Sequence, residues 1–342
     1  MAKTPQKRNW VMLLILSTAA TVYGLNNYKQ FNTSFAYSPD PAIANITSHL
    51  ATQTFKGHNK WIYAISVSPD GKTLASASYD GKISLWNLQT GKLRRIIKAH
   101  EDAVSSLAIS ADGQTLVSGS WDNRIHLWNL QTGQRLQTLK AKDDVRTIAL
   151  SPDGQYLAVS TANHTLKLWN LNTRKQLHVQ TTPKDVLSLT FSPDGQTLAG
   201  GSRDGVIRFW QREQLALMFS LEGHKGAVRS VSFSPDGQYL ASGSHDQSVK
   251  IWHRHKGQLI KTLTGHHAPV LSVAFSPDGH SIASGSYDRT IKLWQPLSGK
   301  ALGNFIGHTK SVRSIQFSPD GQTLVSSGSD ATFRVWPLVP KN

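Results

Sequence analysis

The sequence contains no cysteine in 342 residues, which excludes structural disulfides, thiol catalysis and cysteine-ligated metal sites. Acidic residues are also scarce, because 21 Asp and Glu stand against 37 Lys and Arg, giving a net charge of +16. From residue 50 onward no long helical pattern of apolar residues appears, and the sequence contains no glycine-rich phosphate loop. These absences leave a basic chain whose function must be sought outside thiol and P-loop chemistry.

A repeat of 41 or 42 residues runs through most of the chain. Its most regular members are seven tryptophans: Trp86, Trp128, Trp169, Trp210, Trp252, Trp294 and Trp336. Each unit also carries a tight turn, "SPDG" or once "SADG", starting at Ser68, Ser110, Ser151, Ser192, Ser234, Ser276 and Ser318. A fixed period of this length is typical of repeat architectures, so it takes precedence over any single motif.

Within each unit, short runs rich in β-branched residues alternate with turn residues, which predicts strands. In "SPDG" the proline presets φ, the aspartate bonds its own backbone and the glycine supplies a positive φ, so this turn closes a hairpin. A second turn, such as "QTGK", precedes a fourth strand. Four strands in a unit of about 42 residues are predicted to form one propeller blade.

These motifs resemble those of the WD40-repeat family: "GH" before the first strand, then "SPDG", "LASGSHD" and the closing Trp. The resemblance covers roughly residues 50 to 342 and implies one all-β domain, a seven-bladed WD40-type β-propeller. The Asp that gives the family its name is mostly replaced after Trp, as in "LWNL" and "IWHR".

The resemblance also implies a buried tetrad of His, Ser, Asp and Trp in each unit. Five units have all four residues: His58, Ser76, Asp80 and Trp86; His100, Ser118, Asp122 and Trp128; His224, Ser242, Asp246 and Trp252; His266, Ser284, Asp288 and Trp294; His308, Ser326, Asp330 and Trp336. The other two units depart from the pattern, with Ala141, Val159 and Asn163 in the third and Thr182 and Gly200 beside Asp204 in the fourth.

Ser, His and Asp can form a catalytic triad, but a catalytic site is needed once, whereas this set recurs five times at a fixed spacing. We therefore interpret the tetrads as structural and predict no catalytic residue and no cofactor. Blades three and four, which lack the set, are expected to be the weaker arc of the ring.

The order of strands predicts how the ring closes. The chain ends just after the third strand of the seventh unit, in "FRVWPLVPKN", so that blade lacks its outer strand. The segment "HLATQTFKGH", residues 49 to 58, ends as the fourth strand "IKTLTGH" does. Pairing this N-terminal segment with the last blade would close the ring and remove two exposed sheet edges.

Residues 1–25 differ from the repeats. A basic start at Lys3, Lys7 and Arg8 precedes an uncharged apolar stretch that lasts until Lys29, which predicts a short helix acting as a signal peptide or membrane anchor. Residues 26–49 are predicted to be a tether. The segment would contact the membrane at least transiently and place the propeller on the extracytoplasmic, periplasmic side, secreted or tethered, as in the exported bacterial WD-repeat proteins that the chain resembles. The alternative is an apolar helix that packs on the propeller.

The charge of the propeller bears on its partners. Without the N-terminal 49 residues, 33 basic and 20 acidic residues remain, and 13 of those acids have architectural positions in hairpin turns or tetrads. The resulting basic surface suits an acidic protein, an anionic glycan, a lipid headgroup or nucleic acid, or serves simply for solubility. "HRH" at 253–255 and "HH" at 266–267 could suggest metal ligands, but His266 belongs to a tetrad, so no metal site is predicted.

Residues that vary between units mark the expected binding surface. In propellers such as the β subunit of heterotrimeric G proteins, which the chain resembles, partner contacts concentrate on the face that bears the tetrad loops. The matching positions here are Trp61, Tyr63, Tyr79, Trp121, Arg146, Arg203, Arg229, His245, Tyr287 and Arg313. Aromatic residues and Arg are enriched at binding hot spots. Some of these rings could instead merely pack over loops.

The sequence therefore predicts a non-enzymatic protein-interaction scaffold, exported or membrane-tethered, that docks a protein or other anionic partner on the tetrad-loop face. One alternative is a cytoplasmic propeller that binds nucleic acid or a ribonucleoprotein through its basic surface. Another is an enzyme with a pocket on the central channel. The predicted compartment separates the first two functions, because an export signal argues against nucleic acid.

Overall fold

The computed structural model describes residues 49–50 and 53–338. Every regular element in this part of the chain is a strand. The predicted N-terminal helix, the signal or anchor of residues 1–25 and nearly all of the tether lie outside the described residues. Among the residues that are described, no helix is long and apolar enough to cross a membrane.

The strands form seven sheets, which confirms the all-β, seven-bladed propeller. Before the first blade lie β1 (His49–Leu50) and β2 (Gln53–Lys56). The blades are β3 (Ile62–Val67), β4 (Thr73–Ser78), β5 (Lys82–Asn87) and β6 (Leu93–Lys98); β7 (Val104–Ile109), β8 (Thr115–Ser120), β9 (Arg124–Asn129) and β10 (Arg135–Lys140); β11 (Val145–Leu150), β12 (Tyr156–Thr161), β13 (Thr165–Asn170) and β14 (Lys175–Thr181); β15 (Val186–Phe191), β16 (Thr197–Ser202), β17 (Ile207–Gln211) and β18 (Leu217–Leu221); β19 (Val228–Phe233), β20 (Tyr239–Ser244), β21 (Val249–His253) and β22 (Gln258–Leu263); β23 (Val270–Phe275), β24 (Ile282–Ser286), β25 (Thr290–Trp294) and β26 (Ala301–Ile306); β27 (Val312–Phe317), β28 (Thr323–Gly328) and β29 (Thr332–Pro337).

The first strands of successive blades contact one another around the ring, and β27 of the last blade contacts β3 of the first. Within a blade, consecutive strands pair antiparallel. The seven first strands therefore surround the central channel, and the loops that precede them open on one face.

The "SPDG" turns adopt the geometry that their residue types predict. In the first blade Ser68 Oγ donates to Asp70 Oδ1 at 2.5 Å, and the same carboxylate oxygen accepts from the amide of Lys72 at 2.9 Å. Gly71 has a φ of 68°, a left-handed conformation that glycine adopts without steric cost. This network fixes the hairpin between the first two strands of the blade.

The hydrophobic core lies between blades. Each cluster of buried apolar side chains joins residues of two neighbouring sheets; one contains Leu85 of blade one and Leu107 and Trp128 of blade two. The cluster between the first and last blades contains Trp86, Val325 and Phe333. Because each sheet buries both faces against its neighbours, a blade gains its apolar burial only within the ring.

The N-terminal strands extend two different blades. Strand β2 pairs antiparallel with β29, with Gln53 opposite Val335 and Lys56 opposite Thr332. The ring of Phe55 stacks on Phe333 at a centroid distance of 4.8 Å. Strand β1, which the sequence pattern placed in the same fourth strand as β2, instead pairs in parallel with β26 and forms a fifth strand on blade six.

We expect the pairing of β2 with β29 to hold the ring closed. A chain that lacks residues 1–48 should remain soluble and folded, whereas removal of residues 1–57 should expose the edge of β29 and leave Phe333 without its stacking partner. The longer deletion is expected to aggregate or to melt at a clearly lower temperature in a thermal unfolding experiment. Equal melting temperatures for the two chains would show that β2 does not support closure.

Candidate functional site

The predicted tetrads are assembled in five blades: one, two, five, six and seven. In that order, His Nδ1 lies 3.3, 2.9, 2.8, 2.7 and 2.9 Å from Asp Oδ2. His Nε2 lies 2.9, 2.8, 2.7, 2.8 and 2.8 Å from Ser Oγ. Trp Nε1 donates to the same Ser Oγ at 3.0, 2.9, 2.8, 2.8 and 2.8 Å. Each set connects the loop before the blade to its second and third strands.

The electrostatics of the tetrad fix the direction of its hydrogen bonds. Burial acts to raise the pKa of Asp246, but hydrogen bonds from His224 and Ser248 outweigh it, so the pKa lies well below its usual range. The ionised carboxylate can only accept, so His224 donates through Nδ1 and its Nε2 accepts from the hydroxyl of Ser242. Because both imidazole nitrogens are engaged, the histidine has no free base with which to activate a nucleophile.

Blades three and four use other polar contacts where the tetrad is incomplete. Lys167 of β13 is buried, and its Nζ donates to the carbonyl oxygen of Ala141. At the matching position of β17, Arg208 donates to both carboxylate oxygens of Asp204, at 3.2 and 2.7 Å. Lys167 thus bonds the loop residue that takes the place of the tetrad histidine, whereas Arg208 bonds the aspartate that the histidine contacts in the five complete blades.

One tetrad has an extra histidine that the sequence pattern did not single out. The ring of His126 stacks on His100 at a centroid distance of 4.3 Å, and ligand atoms of these two residues and Asp122 lie within 4.8 Å of one another. Burial, with the neighbouring charges of His100 and Arg135, lowers the pKa of His126 to about 4. Both nitrogens of His100 already bond within the tetrad, so a cation could bind here only by breaking it.

A β-bulge re-aims one side chain of every first strand. In each blade the register between the first two strands shifts at the second residue of the first strand. We call the seven residues at these positions the bulge ring: Tyr63, Ser105, Arg146, Leu187, Arg229, Leu271 and Arg313. Since the first strands line the channel and begin at the tetrad-loop face, the bulge ring surrounds the mouth of the channel there.

Aromatic side chains converge on blades one and two. We call Trp61, Tyr63, Tyr79 and Trp121 the aromatic cluster; neighbouring ring centroids lie 5.6 to 6.5 Å apart. The guanidinium of Arg313 reaches across from blade seven and lies 4.5 Å from the ring centroid of Trp61 and 4.9 Å from that of Tyr63. Cation–π contacts therefore join the aromatic cluster to Arg313 of blade seven.

The arginines occupy different environments. Arg203 pairs with Asp185, Nη2 to Oδ2, at 2.5 Å. Burial lowers the pKa of Arg229 to about 9; the nearby phenol of Tyr287 opposes this shift, whereas the charge of Arg313 adds to it. Positive charge is therefore concentrated inside the mouth of the channel.

The ten predicted contact residues differ in accessibility. Tyr79 and His245 are exposed, and Trp61, Trp121, Arg146, Arg203 and Tyr287 are half-buried. Tyr63, Arg229 and Arg313 are buried, with 2%, 1% and 1% of their surface exposed. These three cannot contact a partner that rests on the tetrad-loop face. Sequence spacing predicted that they lie on the tetrad-loop face but gave no sign that they would be buried at β-bulges of the first strands.

Comparison with known proteins agrees with this geometry. Residues 110–291, just over half of the chain, match a family model described as the WDR19 first beta-propeller. Residues 50–87 and 299–337 match the WD domain, G-beta repeat. Over 51 residues the chain is 39% identical to the small ribosomal subunit protein RACK1y of Oryza sativa subsp. japonica, and this stretch is 15% of each chain. The similarity therefore covers only a small part of that relative.

Proposed function

Because the chain belongs to the WD40-repeat β-propeller family, we propose that it is a non-enzymatic scaffold that docks a protein partner on the tetrad-loop face. Propellers of this family generally bind other proteins and do not catalyse reactions. The observation that carries the proposal is the aromatic cluster: Tyr79 is 44% exposed, and Trp61 and Trp121 beside it are only half-buried. Large aromatic side chains partly open to solvent are typical anchors of protein interfaces.

The proposed docking surface consists of the accessible members of the predicted set. They are Trp61, Tyr79, Trp121, Arg146, Arg203, His245 and Tyr287. Its two sides differ chemically, because blades one and two carry aromatic rings and blades three and four carry arginines. A partner segment with an apolar part and an acidic part would complement both sides.

We further propose that the propeller is exported or membrane-tethered. Support comes from the sequence alone: the basic residues Lys3, Lys7 and Arg8 precede an uncharged segment that ends before Lys29. The competing function is a cytoplasmic scaffold on a ribonucleoprotein, which is favoured by the charge of +16 and by the local similarity to a protein named as part of the small ribosomal subunit. The compartment of the propeller decides between them.

The docking surface can be tested with a partner recovered by affinity pull-down from the native cell. The double variant Tyr79→Ala and Trp121→Ala should weaken binding by about thirtyfold or more, because truncation of a hot-spot aromatic commonly costs about 2 kcal/mol. Isothermal titration calorimetry at two salt concentrations measures the loss, and arginine contacts with an acidic partner should weaken as salt rises.

The control for this experiment is Leu136→Ala with Leu217→Ala, two apolar residues of the outer strands that are 55% and 56% exposed. This variant should bind as wild type does. If instead the outer-strand variant loses the partner and the aromatic variant keeps it, the docking surface lies on the rim of the propeller.

The compartment can be tested with a reporter enzyme that is active only outside the cytoplasm, fused after Asn342. The fusion should be active, and exchange of Lys3, Lys7 and Arg8 for Glu should reduce its activity because positive charge retains the N-terminus on the cytoplasmic side. A fusion that is inactive but fully expressed in the cytoplasm would refute export and favour the ribonucleoprotein alternative. If the fusion is active, the N-terminal residue of the mature protein distinguishes a cleaved signal from an anchor.

A further inference from the structure

Three members of the bulge ring are arginines with incomplete hydrogen bonding. Among the described residues, Nε and Nη2 of Arg229, Nη1 of Arg313 and Nε of Arg146 are buried without a hydrogen-bond partner. Arg229 and Arg313 are each 1% exposed. Buried polar groups are normally paired, and an unpaired buried cation is costly, so these nitrogens call for a partner of opposite charge.

Other arginines of this chain already have such a partner. Arg203 pairs with Asp185, Arg208 with Asp204, and Arg254 with Asp194. No carboxylate of the described part of the chain forms an ion pair with Arg229 or Arg313. Arg146 differs, because the charges of Asp185, Asp144 and Asp143 all act on it, although Asp185 pairs with Arg203. The mouth of the channel therefore has an excess of positive charge.

The tyrosines around these arginines cannot supply the missing negative charge. Burial raises the pKa of Tyr63 to about 12, although the charge of Arg313 acts against it, and burial likewise raises the pKa of Tyr287. Both phenols stay neutral at physiological pH. Their hydroxyls are therefore available as hydrogen-bond donors to an anion.

The fold itself does not require arginine at these positions. Blades four and six carry Leu187 and Leu271 in the bulge ring, and both are fully buried. A leucine at this point satisfies the packing of a blade without any charge. Arg313 also makes structural contacts, because its Nε donates to Ser329 Oγ at 2.6 Å and its guanidinium lies over Trp61 and Tyr63. The nitrogens of the three arginines that have no partner indicate a further role.

We propose that the mouth of the channel binds a compact oxyanion of the phosphate type, held by Arg229 and Arg313 with Arg146 on the open side. Guanidinium groups present planar, paired donors that match phosphate oxygens. The half-buried Arg146 and the side chain of Arg203, which is 37% exposed, extend the positive charge outward to the surface. This ligand lies beneath the proposed docking surface, and its binding does not require that a protein docks there.

The test uses the purified full-length protein and inorganic phosphate as the probe. Phosphate is titrated in a calorimeter at constant ionic strength, balanced with chloride so that general screening does not change. Wild type should show saturable binding at one site. The double variant Arg229→Leu and Arg313→Leu, which introduces the residue type that blades four and six carry, should lose affinity by roughly 10- to 150-fold for each charge-assisted hydrogen bond removed.

A second readout separates ligand binding from a structural role. If the arginines serve a ligand, added phosphate should raise the melting temperature of wild type, whereas the leucine variant should gain no stability from it. Should the double variant fail to fold, Arg229→Lys is titrated in its place. It keeps the charge but loses the paired donors, so the proposal requires weaker binding of phosphate.

The control variant, Lys98→Gln with Lys140→Gln, removes the same charge from exposed positions on the outer strands β6 and β10. It should bind phosphate as wild type does. The proposal is overturned if wild type shows no saturable binding, if the arginine variants bind phosphate equally well, or if the lysine control loses as much affinity as the leucine variant.

A free phosphate anion and a phosphorylated side chain can be distinguished by the same titration. If N-acetyl-O-phosphoserine amide binds no more tightly than inorganic phosphate, the ligand is a free anion. If the amide binds more tightly, the site takes a phosphorylated side chain. Both results require the same arginines, so the leucine variant must lose either ligand.

Discussion

An imidazole held between an aspartate and a serine connects the loop before a blade to the strands inside it. In four of the five blades this histidine is at most 8% exposed, and in the fifth His100 is half-buried. The aspartate that accepts its hydrogen bond lies 22 residues further along the chain. The hydrogen bonds stabilise the blade only when all partners are present, because a buried carboxylate or indole N–H without a partner costs free energy. Each tetrad thereby fixes where the loops of the tetrad-loop face lie.

The departures from the repeat carry most of the functional information. Repetition accounts for the turns and tryptophans, which occur in all seven blades, and for the tetrads, which occur in five of them. It does not account for Trp61, Tyr79 and Trp121 on two adjacent blades, or for arginine at three positions of the bulge ring where two other blades have leucine. A ring of nearly equal blades thus provides a rigid frame on which chemically different side chains are placed around one channel.

Much of the fold could be predicted from the sequence because its signals are local and recur. The tryptophan period, the "SPDG" turns and the five His-to-Asp spacings each correspond to a blade, and the structure brings together all five sets at 2.7 to 3.3 Å. Features that depend on neighbouring blades could not be predicted in this way. The burial of Arg229 arises from a bulge and from the side chains of other blades, and the parallel pairing of His49 and Leu50 with β26 is too short to leave a pattern.

The central claim is that the tetrads hold the loops of the tetrad-loop face in place. Two adjacent histidines test it, because His266 is buried in a tetrad whereas His267 is exposed. His266→Ala should remove one hydrogen-bond partner from Asp288 and one from Ser284. It should lower the melting temperature by roughly 5 °C, with faster hydrogen exchange in blade six, while His267→Ala should melt as wild type does. If both variants melt at the wild-type temperature and exchange as wild type does, the tetrad does not stabilise its blade and the account is wrong.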